Sequence, residues 1–239
     1  MATTLSTLRT SARAHLIETT ADFWTDAELL DIMLQGAKDL WGAIVDLHQE
    51  HFLTVDTTNV SLSANGTSLS GVPTNTFRVH IIEPTDTTDA GSVENILFVP
   101  RDYNSPDFIA ARTVAAQDPT NTGIIYYCLT SAGAPVAAPT VLIAPSVSSA
   151  MAAGTIRFVY VPTLGTLTAS SDNPIPGEAD HALIAWTVAY ARAKEKDDRT
   201  PDAAWLAVYA TEKQHLLTRL TPRQTQEPDY TEALFQSFW

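Results

Sequence analysis

TASSDNPIPGEADHALIAWTVAYARAKEKDDRTPDAAWLAVYATEKQHLLTRL, residues 168–220, decides how the rest of the chain is read. Its Gly, Pro, Asp and Asn residues stop the strand-like sequence before it, and two helices follow. In the first, from about Glu178 to Lys196, Leu183, Ile184, Trp186, Thr187, Val188 and Tyr190 lie among six alanines. That apolar band is wider than one stripe, so the helix is expected to be packed on more than one side at close distance. The second is expected from Pro201 to Leu220, with Thr200 as cap, Pro201 in the first position, and Trp205, Val208, Tyr209, Leu216 and Leu220 at helical spacing. The charged link Lys194–Arg199 is too short to carry the second helix away, which makes an antiparallel hairpin the economical reading.

The hairpin needs a partner for its remaining apolar surface, and the other long helix lies at the opposite end of the chain. Leu5, Leu8, Ala12 and Leu16 mark a short amphipathic helix from Thr4 to Ile17, capped by Thr3 or Thr4. In Trp24-Thr-Asp-Ala-Glu-Leu29, Thr25 can cap, Glu28 completes a capping box, and Trp24 and Leu29 hold the two positions of a hydrophobic staple. The helix that follows, Asp26 to about Phe52, presents Leu29, Met33, Ala37, Leu40, Trp41, Ile44, Leu47 and Phe52 toward a core. Gly36 and Gly42 are points of bending or close contact.

Between these ends, helix formers give way to Thr, Val, Ser, Pro and Gly. Strands are expected at Asn59–Leu62, Phe77–Ile82, Ile96–Val99, Phe108–Thr113, Gly123–Leu129, Val141–Ala144 and Thr155–Val161. The reading is α+β: an antiparallel helical bundle formed by N- and C-terminal helices, with a large inserted antiparallel β domain or barrel. The parts are 1–53, the N-terminal helices; 54–174, the β-rich insert; 175–220, the helical hairpin; and 221–239, a tail. Prolines break the helix after Leu220, and Tyr230, Leu234, Phe235, Phe238 and Trp239 make the tail a candidate docking segment.

Composition excludes several functions. With 27 acidic against 14 basic residues the chain does not recruit DNA by counterion release, although such a surface lets a polyanion slide past. No segment spans a bilayer, and a single cysteine, Cys128, excludes an intrachain disulfide framework and a cysteine-rich zinc site. No phosphate loop, dinucleotide fingerprint, nucleophile elbow or zinc helix is present. His48 and His51 flank Glu50 near Asp46, one turn apart without a third ligand, and His181 and His215 are single helical histidines. Glu83, Asp86, Asp89 and Glu94 read as wet surface, Asn65-Gly-Thr67 as a turn, and Trp24, Trp41, Trp186 and Trp205 as core of the helices. Neither enzyme, metal nor cofactor is expected.

The order of segments resembles the head-to-tail connector proteins of tailed bacteriophages, adaptors that sit under the portal. The similarity rests on Trp24–Leu29, on Leu97-Phe-Val-Pro-Arg-Asp-Tyr103, and on Tyr160-Val-Pro-Thr-Leu164 with Ile175-Pro176 before the last helices. The large central insert and the Pro-rich aromatic tail depart from the family pattern. The resemblance implies a structural ring, commonly of twelve copies, at the head-tail junction of the virion, assembled in the host cytoplasm. Its partners would be the portal protein, neighbouring copies, a downstream neck or tail protein, and double-stranded DNA passing without specific binding. The alternatives are another neck, tail-completion or decoration protein, or a carbohydrate-binding module.

Overall fold

The computed structural model describes residues 3–18, 23–85, 96–113, 123–131, 139–148, 154–195 and 200–220. The chain is α+β and divides into two compact units, one made of Met1–His51 with Thr166–Trp239 and the other of Phe52–Gly165.

The helical unit starts with α1, Leu5–Leu16, whose cap Thr4 accepts a hydrogen bond from the Thr7 N–H. It ends at Ile17, which takes the left-handed conformation (φ 58°) that a β-branched residue rarely adopts. Helix α2, Asp26–His48, continues as a 3-10 turn, Gln49–Phe52. The expected capping box at its start is formed: Thr25 Oγ1 accepts from the Glu28 N–H, and Glu28 accepts from the Thr25 N–H at 2.8 Å. The face predicted for α2 is buried at Leu29, Met33, Ala37, Leu40 and Ile44, with Val45 added and Trp41 half-buried. Leu47 is 63% exposed, so the expected stripe stops a turn early.

Two further helices complete the unit, α4 (Asp180–Glu195) and α5 (Ala203–Arg219), with α3 (Pro106–Ala111) lying in the other unit. The wide apolar band of α4 has the predicted consequence. Nine of its residues are buried, alanines among them, and it touches α1, α2 and α5. In α5 the cap is Asp202, not Thr200, and Pro201 precedes it, because the Asp202 carboxylate accepts from the N–H groups of Ala204 and Trp205. That helix is also thinner in core residues than its spacing suggested: Tyr209 and Leu216 are buried, but Val208 is 44% exposed. The start of α1 is tied to the segment leading into α4, with the Leu5 and Ser6 N–H groups donating to Ser171 O and Ala169 O, and the Asn173 N–H to Thr3 O.

Among the described residues the second unit holds two open four-stranded sheets, not a closed barrel. In one, β8 (Thr155–Pro162) is central. It pairs antiparallel with β4 (Thr76–Pro84) on one side and with the short β1 (Thr54–Val55) and β2 (Val60–Ser61) on the other. The other sheet runs β3 (Ser68–Leu69), β7 (Pro139–Ala144), β6 (Gly123–Ser131), β5 (Ile96–Pro100). Side chains alternate along β6 as a strand requires. Ile125 and Tyr127 join the core that includes Phe158, Ile156, Val141 and Phe98, while Cys128 faces a second cluster with Phe108, Ala111 and Ala144.

That second cluster corrects one expectation. The expected strand Phe108–Thr113 is not formed, because Pro106–Ala111 is a helix, α3. Its signals are local: Ser105 caps by accepting from the Phe108 N–H, Pro106 opens the helix and Asp107 sits in the first turn. The chemistry follows from topology, since β5 and β6 are parallel and a parallel pair needs a crossover, here with α3 in it. The sheet is therefore mixed rather than wholly antiparallel.

Candidate functional site

Three polar centres hold the helical unit together, and each joins residues far apart in sequence. The first surrounds the start of α2. Arg13 is 7% exposed, and its guanidinium donates to Trp24 O (2.7 Å), Asp26 Oδ1 (2.7 Å) and Glu18 Oε2 (3.0 Å), while Arg9 reaches the other Asp26 oxygen at 2.9 Å. Trp24 Nε1 donates to Ala191 O at 3.0 Å, and Lys194 Nζ to Phe23 O and to Glu28 Oε1. The capped motif is thus clamped from α1 on one side and α4 on the other.

Glu28 feels the donors around it. The Lys194 ammonium, then the Thr25 N–H and hydroxyl, hold its carboxyl down at about 2, against an ordinary 4.5. A carboxyl depressed on folding contributes stability that is complete above about pH 4.5 and is lost as pH falls toward 2. Thr25→Ala should cost about 1 kcal/mol at neutral pH. That cost should shrink across the same acid window, and salt should weaken the exposed Lys194 pair. Urea unfolding at pH 7 and pH 3, each at low and high salt, checks both, and an equal loss at the two pH values would contradict the assignment.

The second centre is in the middle of α2. Gly36 lets α4 approach so closely that a Cβ there would lie 2.7 Å from Trp186 Cδ1. Trp186 Nε1 donates to Ile32 O at 3.0 Å, and its ring packs at 4.5 Å on Tyr190 and 4.9 Å on Tyr209. Tyr209 in turn donates to Asp39, which also accepts from Lys213 Nζ at 2.6 Å. Burial works to raise the Asp39 carboxyl, but the hydrogen bonds from Lys213 and Tyr209 outweigh it and leave it below the usual range. Burial, with that same bond, pushes the Tyr209 phenol up. The tryptophans are therefore only partly the core fillers expected. Trp24 is buried, whereas Trp41, Trp186 and Trp205 are half-buried, Trp205 beside His15 and under Arg192.

The third centre is the histidine pair at the end of α2. His48 Nε2 donates to Leu217 O of α5 at 3.1 Å, its Nδ1 lies 3.5 Å from Glu50, and the His51 ring stands edge-on at 6.2 Å. One turn of α2 is thereby fastened to the last turn of α5. Among the described residues no group of three His, Cys, Asp or Glu is arranged to hold a metal.

In the β-rich unit, Glu83 accepts from Arg157 Nε of the neighbouring strand at 2.7 Å. Asp86, Asp89 and Glu94 lie outside the described residues, as do Tyr230, Leu234, Phe235, Phe238 and Trp239. The Cys128 thiol is pushed up by burial, a poor environment for a nucleophile. Between α3 and β7 there is a hollow of about 230 Å³, with Leu142, Ile143, Ala144 and Phe108 as walls and Tyr103 and Arg112 at the rim. Sequence reasoning missed it because it depends on α3 being a helix. The signal was present in Ser105-Pro106-Asp107.

Among the described residues, no helix is long and apolar enough to cross a membrane. A family model described as SU10 adaptor protein matches residues 3–233, nearly the whole chain. No curated protein matches it.

Proposed function

This chain belongs to the SU10 adaptor protein family, and we propose that it is a head-to-tail adaptor forming a ring below the portal of a tailed bacteriophage. As a member of that family it has a structural role in the virion. The observation that carries the proposal is the near full-length family match, which agrees with the resemblance carried by Trp24–Leu29 and Leu97–Tyr103. On this reading the N- and C-terminal helices are an antiparallel bundle that forms the body of each subunit. Contacts of α4 with α1, α2 and α5 support this. The β-rich insert offers further surface to neighbouring copies or to the next neck or tail protein, and residues 221–239 are a docking tail.

A closed cyclic ring buries complementary surfaces of identical chains without runaway polymerisation, and a dodecamer is the stoichiometry we expect. The net charge of −13 suits a wall past which DNA slides without specific binding. On this reading the chain acts without a catalytic residue, a metal or a cofactor.

Electron microscopy of purified portal rings mixed with this protein tests the reading directly. The expected result is added ring density of the same axis below the portal, and failure to bind the portal would overturn it. Deleting Tyr230–Trp239 should leave the helical circular dichroism intact while weakening attachment to portal-bearing heads about thirtyfold, the effect of about 2 kcal/mol lost at an aromatic hot spot. Attachment at full affinity would remove the tail from the interface.

A further inference from the structure

We propose that the hollow beneath α3 is the receptor for the tail of a neighbouring copy, with Phe235 seated in it and Glu232 paired with Arg112. The inference rests on the adaptor reading and names a surface within it. A cavity of about 150 Å³ with apolar walls holds a benzene ring. The hollow, at about 230 Å³, has room for a phenylalanine ring with its methylene; Phe108, Leu142 and Ala144 form its apolar part, and Thr67, Ser146 and Arg112 its polar part.

The rim supplies the charge. Arg112 is exposed, and its guanidinium donates to Tyr103 Oη at 3.1 Å and lies 5.5 Å from that ring, but among the described residues it has no carboxylate partner. The larger hollow of about 340 Å³ beside Arg78 and Arg101 differs here, because Arg101 is already paired with Asp107 at 3.1 Å. Ile109, 52% exposed on α3, and Tyr103, 45% exposed, extend the apolar surface around the mouth.

The occupant follows from what the chain holds beyond Leu220. Residues 221–239 carry Glu227, Asp229 and Glu232 against one basic residue, Arg223, together with the aromatic run that includes Phe235. Glu232 and Phe235 are three residues apart, at most about 10 Å of chain, so one short segment can offer a carboxylate to the rim and a ring to the cavity. A tail of one copy entering a pocket of the next is a heterologous contact, the kind that closes a ring of more than two subunits.

Photo-crosslinking of the full chain tests this. Benzoylphenylalanine is placed at position 235, isotopically heavy and light chains are mixed, and cross-links are mapped by mass spectrometry in portal-bound particles. The expected products join position 235 to residues 103–112 or 142–146 and contain one heavy and one light chain. Thr67→Trp, at an exposed rim position, and Arg112→Glu should each cut the yield several-fold, and adding Glu232→Arg to Arg112→Glu should restore it. Cross-links to the portal alone would refute the pocket and leave the adaptor reading standing. Cross-links within one chain, none at all, or a yield indifferent to both rim variants would also overturn the proposal. Loss of portal binding by the parent protein, in contrast, would count against the adaptor reading itself.

Discussion

Arg13→Ala should cost about 3–5 kcal/mol, the largest loss expected from any single substitution in the helical unit. The guanidinium is almost wholly buried, and Glu18, Trp24 and Asp26, which accept from it, all lie outside its own helix. Removing it leaves the Glu18 carboxylate, 11% exposed, without its counter-charge, and strips a hydrogen bond from Trp24 O next to the cap. Most of the cost is this stranded charge. The Arg13→Ala, Glu18→Gln double variant should therefore be more stable than Arg13→Ala alone. Urea unfolding followed by circular dichroism measures both, and a loss below about 1 kcal/mol for Arg13→Ala would show that the cluster is only a well-solvated surface pair.

The two glycines of α2 should respond with opposite signs. Gly36→Val places side-chain atoms where Trp186 Cδ1 and Cγ already lie within 2.8 Å of the Cβ position. Trp186 is held by its hydrogen bond to Ile32 and by Tyr190 and Tyr209, so overpacking of about 3 kcal/mol is expected. Gly42 has nothing within 4 Å of that position, and Gly42→Ala should gain about 1 kcal/mol from helix propensity alone. In a Trp186→Ala background most of the Gly36→Val cost should vanish, because the two residues act on one contact. A cost unchanged in that background would place the effect in the backbone of α2 instead of at the seam.

What the sequence made legible was mostly local. The capping box at Thr25 and Glu28 needs four residues to be read, and it is found as read. The band of α4 announced burial on several sides because small residues interrupt it all round, and nine buried positions follow. Six of the seven expected strands lie where alternation and turn residues put them. The seventh failed because Phe108-Ile109-Ala110-Ala111 is apolar enough for either state, and the deciding residues, Ser105 to Asp107, stand just before it.

The rest depends on distance in the chain. Arg13 reads as the polar edge of an amphipathic helix, and only the fold brings Glu18, Trp24 and Asp26 around it. Leu47 lies eighteen residues after Leu29, five full turns and so on the same azimuth, yet it is exposed, because how far partner helices extend is not encoded in periodicity.

The tie between the chain's first helix and the segment before α4 fixes an order of events during synthesis. Trp24 waits for Ala191, 167 residues later, and Leu5 and Ser6 for Ser171 and Ala169. At about 5–20 residues per second, the ribosome needs roughly ten to thirty seconds to supply those partners. Through that interval the apolar faces of α1 and α2 lack the cover of α4 and α5, while the insert, contiguous in sequence from Phe52 to Gly165, has its own contacts to hand. The insert can thus mature first and the helical unit closes last, so a prematurely terminated chain keeps its N-terminal helices open to chaperones and proteases instead of entering assembly.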